Sequence, residues 1–174
     1  MANEIFGLGI SACLLGKAVR YDGEHKLDEI VIDALERHFK LVAVCPEIGC
    51  GMTVPREPMR LTGDPSSPRL ITTASRVDKT DQMERWTQTC LAELEKENLA
   101  GFVFKSKSPS CSLSVGVYDP DGMVVQKTMG LFARSFTRRF PSLPVAEAEA
   151  LHDTAFRQSF ISRIFHGIST AGAQ

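Results

Sequence analysis

The chain has 174 residues, 43% of them hydrophobic and 24% charged, and a formal net charge of −1. The length suits one domain with a real core, and the composition is that of an ordinary globular protein. The near-neutral balance excludes a strong global field for nucleic acid or an anionic membrane. The first residues, Met1-Ala2-Asn3-Glu4, carry no leader pattern, and no apolar run reaches the length of a membrane span. A cytoplasmic location is therefore expected. There the five cysteines serve as thiols, metal ligands or catalysts rather than disulfides.

In chain order, residues 4–12 read as a buried strand and residues 14–26 as a polar, glycine-containing loop. Asp28 caps a predicted helix running to about Phe39, with Leu27, Ile30, Val31, Ala34, Leu35 and His38 at helical spacing. Residues 41–45 are a second buried strand, stopped by Pro46. Prolines and glycines break residues 46–69 into a long loop of the kind that carries function. A short strand is expected over 69–74. The spacing of Met83, Trp86, Cys90, Leu91 and Leu94 predicts an amphipathic helix over 80–98, and residues 101–105 form a third buried strand. Asp119-Pro120-Asp121-Gly122 joins 115–118 to 124–125 as a hairpin. Helices over 130–140 and 153–168 enclose an edge strand at 143–145. Arg134, Arg138 and Arg139 are compatible with phosphate contacts but read first as a solvated helix face. The alternation of strands and helices argues for a single α/β domain over residues 1–174. The expected architecture is Rossmann-like and three-layered, with a mostly parallel central sheet.

Cys13, Cys45 and Cys111 each follow an apolar, strand-like run. In open α/β sheets ligands bind at the carboxyl ends of the strands, so three thiols distant in sequence are brought near one crevice. Thiolate sulfur suits iron–sulfur clusters, zinc or Cu(I). Three ligands leave a coordination position open for chemistry, whereas four close a structural zinc site. The four histidines, His25, His38, His152 and His166, lie on predicted helices or their flanks, away from these turns, which favours an all-thiolate cluster over zinc. Free cysteines also serve as small buried hydrophobes. Cys90 fits that description on its helix, and Cys50, five residues after Cys45, stays open as a competing ligand.

The neighbours of the cysteines add chemistry. Arg20 and Asp22 are candidates to orient a planar polar ligand, and Tyr21 to stack on it; a structural Arg–Asp pair in a turn is the alternative. Glu47, two residues past Cys45, is placed for a general base, or else is a loop glutamate that rests in solvent or pairs with Arg56. Ser108 and Ser110 can bond cluster sulfur or relay a proton, or simply make a tight turn. Lys105 puts positive charge near a thiol.

Three segments of the chain resemble the signatures of the thiouracil desulfidase (TudS) family. They are Ser11-Ala12-Cys13-Leu14-Leu15-Gly16 with Arg20-Tyr21-Asp22-Gly23, Cys45-Pro46-Glu47 followed by Pro55-Arg56, and Gly101-Phe102 followed by Lys105 and Ser108-Pro109-Ser110-Cys111. The likeness runs from about residue 8 to 112, with further similarity at Leu143-Pro144-Val145. It implies a 4Fe–4S cluster held by Cys13, Cys45 and Cys111 at the carboxyl ends of the strands, with a fourth iron open to the sulfur of a thiolated pyrimidine. It implies Glu47 and Ser108 as catalytic residues, and desulfidation to the oxo-pyrimidine with release of sulfide and no net redox change. Some relatives carry a further C-terminal domain and act on thiolated uridine in transfer RNA. This chain ends after the first domain and is not basic, so a free base or nucleoside is expected ahead of transfer RNA. The assembly is a monomer or a homodimer.

Two other classes compete with an iron–sulfur desulfidase: a zinc-dependent hydrolase on the same thiolates, and a non-catalytic iron–sulfur or sulfur-carrier module. Anaerobic purification separates zinc from a cluster. A brown protein with about four iron per chain is expected for a cubane; a colourless protein with stoichiometric zinc would sink it.

Overall fold

A computed structural model describes residues 6–171. The expected strand start at Glu4 and the reading of residues 1–4 as lacking a leader lie outside the described residues. The first strand, β1 (Gly7–Ser11), is buried along its whole length. It pairs in parallel with β2 (Lys40–Val44) on one side and with β5 (Leu99–Phe104) on the other. β8 (Val145–Glu147) adds in parallel to β5 and completes a four-stranded sheet of order β2-β1-β5-β8.

Alternating side chains divide this sheet into two apolar faces. Leu8, Ile10 and Val103 pack with Val31 and Leu35 of α1 (Glu29–Leu35) and with Phe160 and Ile164 of α5 (Thr154–Ala171). Phe102 and Phe104 face the other way. They meet Cys90, Leu91 and Leu94 of α3 (Thr80–Leu94), and Phe132 and Phe136 of α4 (Leu131–Arg139). The expected three-layer α/β arrangement with a parallel sheet is therefore present. Among the described residues no helix is long and apolar enough to cross a membrane.

Helix ends follow local chemistry. Asp28 accepts a hydrogen bond from the Val31 amide and caps α1. This helix stops at Leu35, earlier than expected, and Phe39 turns in to close the core. The helix expected to reach residue 98 becomes a 3-10 turn at Glu95–Glu97 and ends on Asn98 at φ +49°. On α4, Arg139 pairs with Glu95, and Arg134 donates to the Ser66 carbonyl.

The stretch 46–69 is more regular than its prolines suggest. It contains the single turn α2 (Pro46–Gly49) and the strand β3 (Met59–Thr62). β3 pairs antiparallel with β4 (Arg69–Thr72) and parallel with β6 (Val115–Tyr118); β6 continues antiparallel into β7 (Val124–Thr128). This second sheet, of order β4-β3-β6-β7, has a small core of its own. Leu61, Leu70 and Val117 close on Met83 and Leu131. A four-residue strand with one fully buried leucine carries too short a pattern to stand out in sequence. The 119–122 hairpin turn forms as expected, with the Gly122 amide donating to the Asp119 carbonyl and φ +84° at Gly122.

Gly9 sets the spacing at the centre of the parallel sheet. A Cβ there would lie 2.2 Å from the Phe102 ring, and that ring stacks on Phe104 at a centroid distance of 4.3 Å. Gly9→Ala should lower unfolding stability by about 1–3 kcal/mol through overpacking, measured by denaturant titration. An unchanged midpoint would show that Phe102 can yield.

Candidate functional site

β1, β2 and β5 run parallel, so their carboxyl ends open on the same side. A cavity of about 450 Å³ lies there. Its wall includes Cys13, Cys45 and Cys111 together with Glu47, Ser108, Arg20 and Tyr21. Asp22 does not line it. That carboxylate instead accepts both guanidinium bonds of Arg20, at 3.1 and 2.7 Å, and the Glu24 amide at 3.1 Å. The Arg20 guanidinium beside it holds the Asp22 carboxyl down to about 2. Arg20 also sits 5.6 Å from the centre of the Tyr21 ring.

Each thiol is set by its own turn. Cys13 lies in the 3-10 turn Ala12–Leu15 just past β1, and its carbonyl accepts from the Gly16 and Lys26 amides. Cys45 precedes Pro46, which starts α2 at the position where a missing N–H is harmless. α2 is pinned by Trp86, whose ring lies directly over Gly49. Cys111 ends a turn in which the Ser108 hydroxyl oxygen accepts from the amides of Ser110 and Cys111, at 3.2 and 3.1 Å. The first amides of α4 then take up this turn's carbonyls: Leu131 donates to Pro109, and Phe132 and Ala133 to Ser110. Gly130 lies so close to Ser110 and Cys111 that a Cβ would meet their backbone at 2.6–2.9 Å.

The thiols feel one another. Burial pushes the Cys13 thiol up, and the neighbouring Cys45 adds to the shift. Burial also raises Cys45 against the pull of nearby backbone amides. Cys111 is raised well above the usual thiol range by burial, then by the charges of Glu47, Cys45 and Cys13, with the Ser11 hydroxyl opposing. Thiolates formed here would repel one another, and a cationic centre that bound them would offset that repulsion and release the protons. Among the described residues no group of three or more His, Cys, Asp or Glu side chains is gathered to hold a single metal ion. A cubane asks less convergence, because each thiolate takes its own iron. Cys13, Cys45 and Cys111, all on the wall of one cavity, are the residues that could hold such a group.

Glu47 is half-buried and engaged at both oxygens. Arg56 donates to Oε2 from Nε at 2.7 Å and from Nη2, and the Ser110 hydroxyl donates to Oε1 at 3.0 Å. The pairing of Glu47 with Arg56, one of the sequence alternatives, is present while the carboxylate still lines the cavity. Lys105 lies on the same wall and donates to the Ser106 carbonyl and hydroxyl. Its charge eases the Cys13 thiol downward.

The remaining cysteines stand apart. Cys50 does not line the cavity; its thiol donates to the Glu47 carbonyl at 3.4 Å, and it packs against the core of the second sheet. Cys90 belongs to the core between α3 and the parallel sheet, and burial pushes its thiol to about 11. Sequence reasoning did not single out Glu149, which joins the cavity wall from the turn after β8 and lies 3.6 Å from Lys105. No local pattern marks it, since its place comes from the docking of β8 on β5. The anchoring of Glu47 by Ser110 was likewise invisible, although Ser108-Pro109-Ser110-Cys111 drew attention to the segment.

A Cβ on Gly49 would lie 2.1 Å from the Trp86 ring, so Gly49→Ala must move either the ring or the turn that carries Cys45 and Glu47. Trp86 is the sole tryptophan of the chain. Its fluorescence emission should shift to the red in this variant, and an unchanged spectrum would show that the turn adapts without disturbing the ring.

Three comparisons bear on this site. Residues 8–148 match the family model of 2-thiouracil desulfurase. The uncharacterized protein YbbK of Bacillus subtilis strain 168 is 33% identical over 107 residues, which is 59% of this chain and 70% of that protein. A solved 4Fe–4S-dependent thiouracil desulfidase, TudS, shares the fold with a TM-score of 0.68 at 27% identity, over 88% of this chain and 98% of that one. With three thiols, a carboxylate and a serine at the strand ends and four-fifths of its length matched, the chain belongs to the 2-thiouracil desulfurase family.

Proposed function

We propose that this protein is a desulfidase that replaces the sulfur of a thiolated pyrimidine by oxygen, using a 4Fe–4S cluster held by Cys13, Cys45 and Cys111. The observation that carries the reading is the meeting of these thiols with Glu47 and Ser108 on one cavity wall. The family and the 4Fe–4S-dependent neighbour support it. The reaction is hydrolytic and non-redox: water supplies the oxygen, the carbon–sulfur bond breaks, and sulfide leaves with the protons of that water. When bound, the cluster supplies a Lewis-acidic iron that polarises the carbon–sulfur bond.

The side chains divide the remaining work. Glu47 takes a proton from the attacking water. Fixed through Arg56 and Ser110, it retains a lone pair on Oε1 for that proton. Ser108 acts as a donor. Two backbone amides occupy its oxygen, which leaves its hydroxyl proton to be passed to the ring or the leaving sulfur. Arg20 and Tyr21 meet the planar ring, by hydrogen bond and by stacking, and Asp22 holds Arg20 in place rather than touching the substrate. The cavity, about 450 Å³, is of the size that encloses a small ligand. A free base or nucleoside is therefore the proposed substrate, ahead of transfer RNA. A sulfur carrier would have no need of a carboxylate fixed this firmly beside the thiols.

Glu47→Ala should abolish sulfide release from 2-thiouracil, 4-thiouracil, thiouridine and thiolated RNA while the brown colour persists. Full turnover by that variant removes the base role. Serine in place of Cys13, Cys45 or Cys111 should lower bound iron, whereas Cys50→Ser should not.

A further inference from the structure

Arg56 has no step in the chemistry proposed above, yet its hydrogen bonds converge on the site. Its guanidinium donates to Glu47 Oε2 from two nitrogens, to the Val19 carbonyl at 2.8 Å and to the Thr53 carbonyl at 3.1 Å. Its own amide donates to the Tyr21 carbonyl at 2.8 Å. The side chain is only 8% exposed. One residue thus ties the turn that carries Glu47 to the segment that carries Arg20 and Tyr21, with Val19 37 positions before Arg56 in the chain.

We infer that Arg56 is a positioning residue that fixes the Glu47 carboxylate and the Val19–Tyr21 segment in one register, so that base and ring-binding side chains approach the reacting carbon together. The inference rests on Glu47 being the base. A planar guanidinium offers several donors in a fixed fork, which an ammonium cannot reproduce. With Oε2 held by the fork and Oε1 by Ser110, the plane of the carboxylate is set from two directions. An exposed ion pair would contribute little, but a pair this buried leaves an uncompensated charge when one partner is removed. Reacting groups displaced by an ångström lose rate steeply.

The test uses the cluster-loaded protein, with whichever of 2-thiouracil and 4-thiouracil the wild type turns over faster. Arg56→Lys keeps the charge and loses the fork. Its kcat should fall by about ten- to a hundredfold, with iron content unchanged and KM moved less. The solvent deuterium isotope effect on kcat should rise as proton transfer to a misplaced Glu47 becomes limiting. Arg56→Gln should also free the Val19 anchor, so that trypsin cuts after Lys17 or Arg20 faster than in the wild type.

A wild-type kcat and isotope effect in Arg56→Lys overturn the inference. So does a kcat that falls only in proportion to lost iron with the isotope effect unchanged, since that is a structural role. Should Arg56→Lys not fold, Ser110→Ala, which removes the other restraint on Glu47, must show the raised isotope effect, or the account of a two-sided restraint fails. If Glu47→Ala retains turnover, the base assignment itself falls. If Glu47→Ala is inactive while Arg56→Lys matches the wild type, only the positioning role falls.

Discussion

β1 shares ladder hydrogen bonds on both sides, with β2 and with β5, and both neighbours run parallel to it. Parallel strands expose their carboxyl ends together, and the chain must leave all three at the same level. The turns that leave them carry Cys13, Cys45 and Cys111. Reversing any one strand would send its cysteine to the opposite end of the molecule. Where β1 lies beside β5, Gly9 leaves the space that the Phe102 ring fills.

The charge around the cavity complements what the thiols would bring. Arg20, Lys26, Arg56, Lys105 and Lys107 line it against Glu47 and Glu149. Burial first, and then neighbouring thiols, raise the pKa values of Cys13 and Cys111: Cys45 acts on both, and Cys13 acts on Cys111. Cationic side chains at the rim offset part of that repulsion without acting as ligands. The near-neutral total of the chain hides this local excess, because composition averages over surfaces that the fold separates.

Sequence made the parallel strands and most helices legible, because buried runs and helical spacing report on local burial. The three cysteines were legible for the same reason: each follows such a run. The second sheet was not. β3 is four residues long, sits among prolines and becomes a strand by pairing with β4 and β6, which is tertiary information. Sequence nearness groups Asp22 with Arg20, but it cannot separate a side chain that faces a cavity from one that holds its neighbour. Nearness to Cys45 makes Cys50 a competing ligand on sequence alone; the turn of α2 sends its thiol back to the Glu47 carbonyl.

The turns that carry the thiols are each held by protein groups: the Lys26 amide on Cys13, the Trp86 ring over Gly49 beside Cys45, and the amides of α4 on the Cys111 turn. A zinc finger, by contrast, acquires its shape from its metal. A scaffold that keeps its own shape separates maturation from folding. A cofactor of the kind proposed would then be loaded onto turns already in place, and its loss would leave those turns held by the same protein contacts.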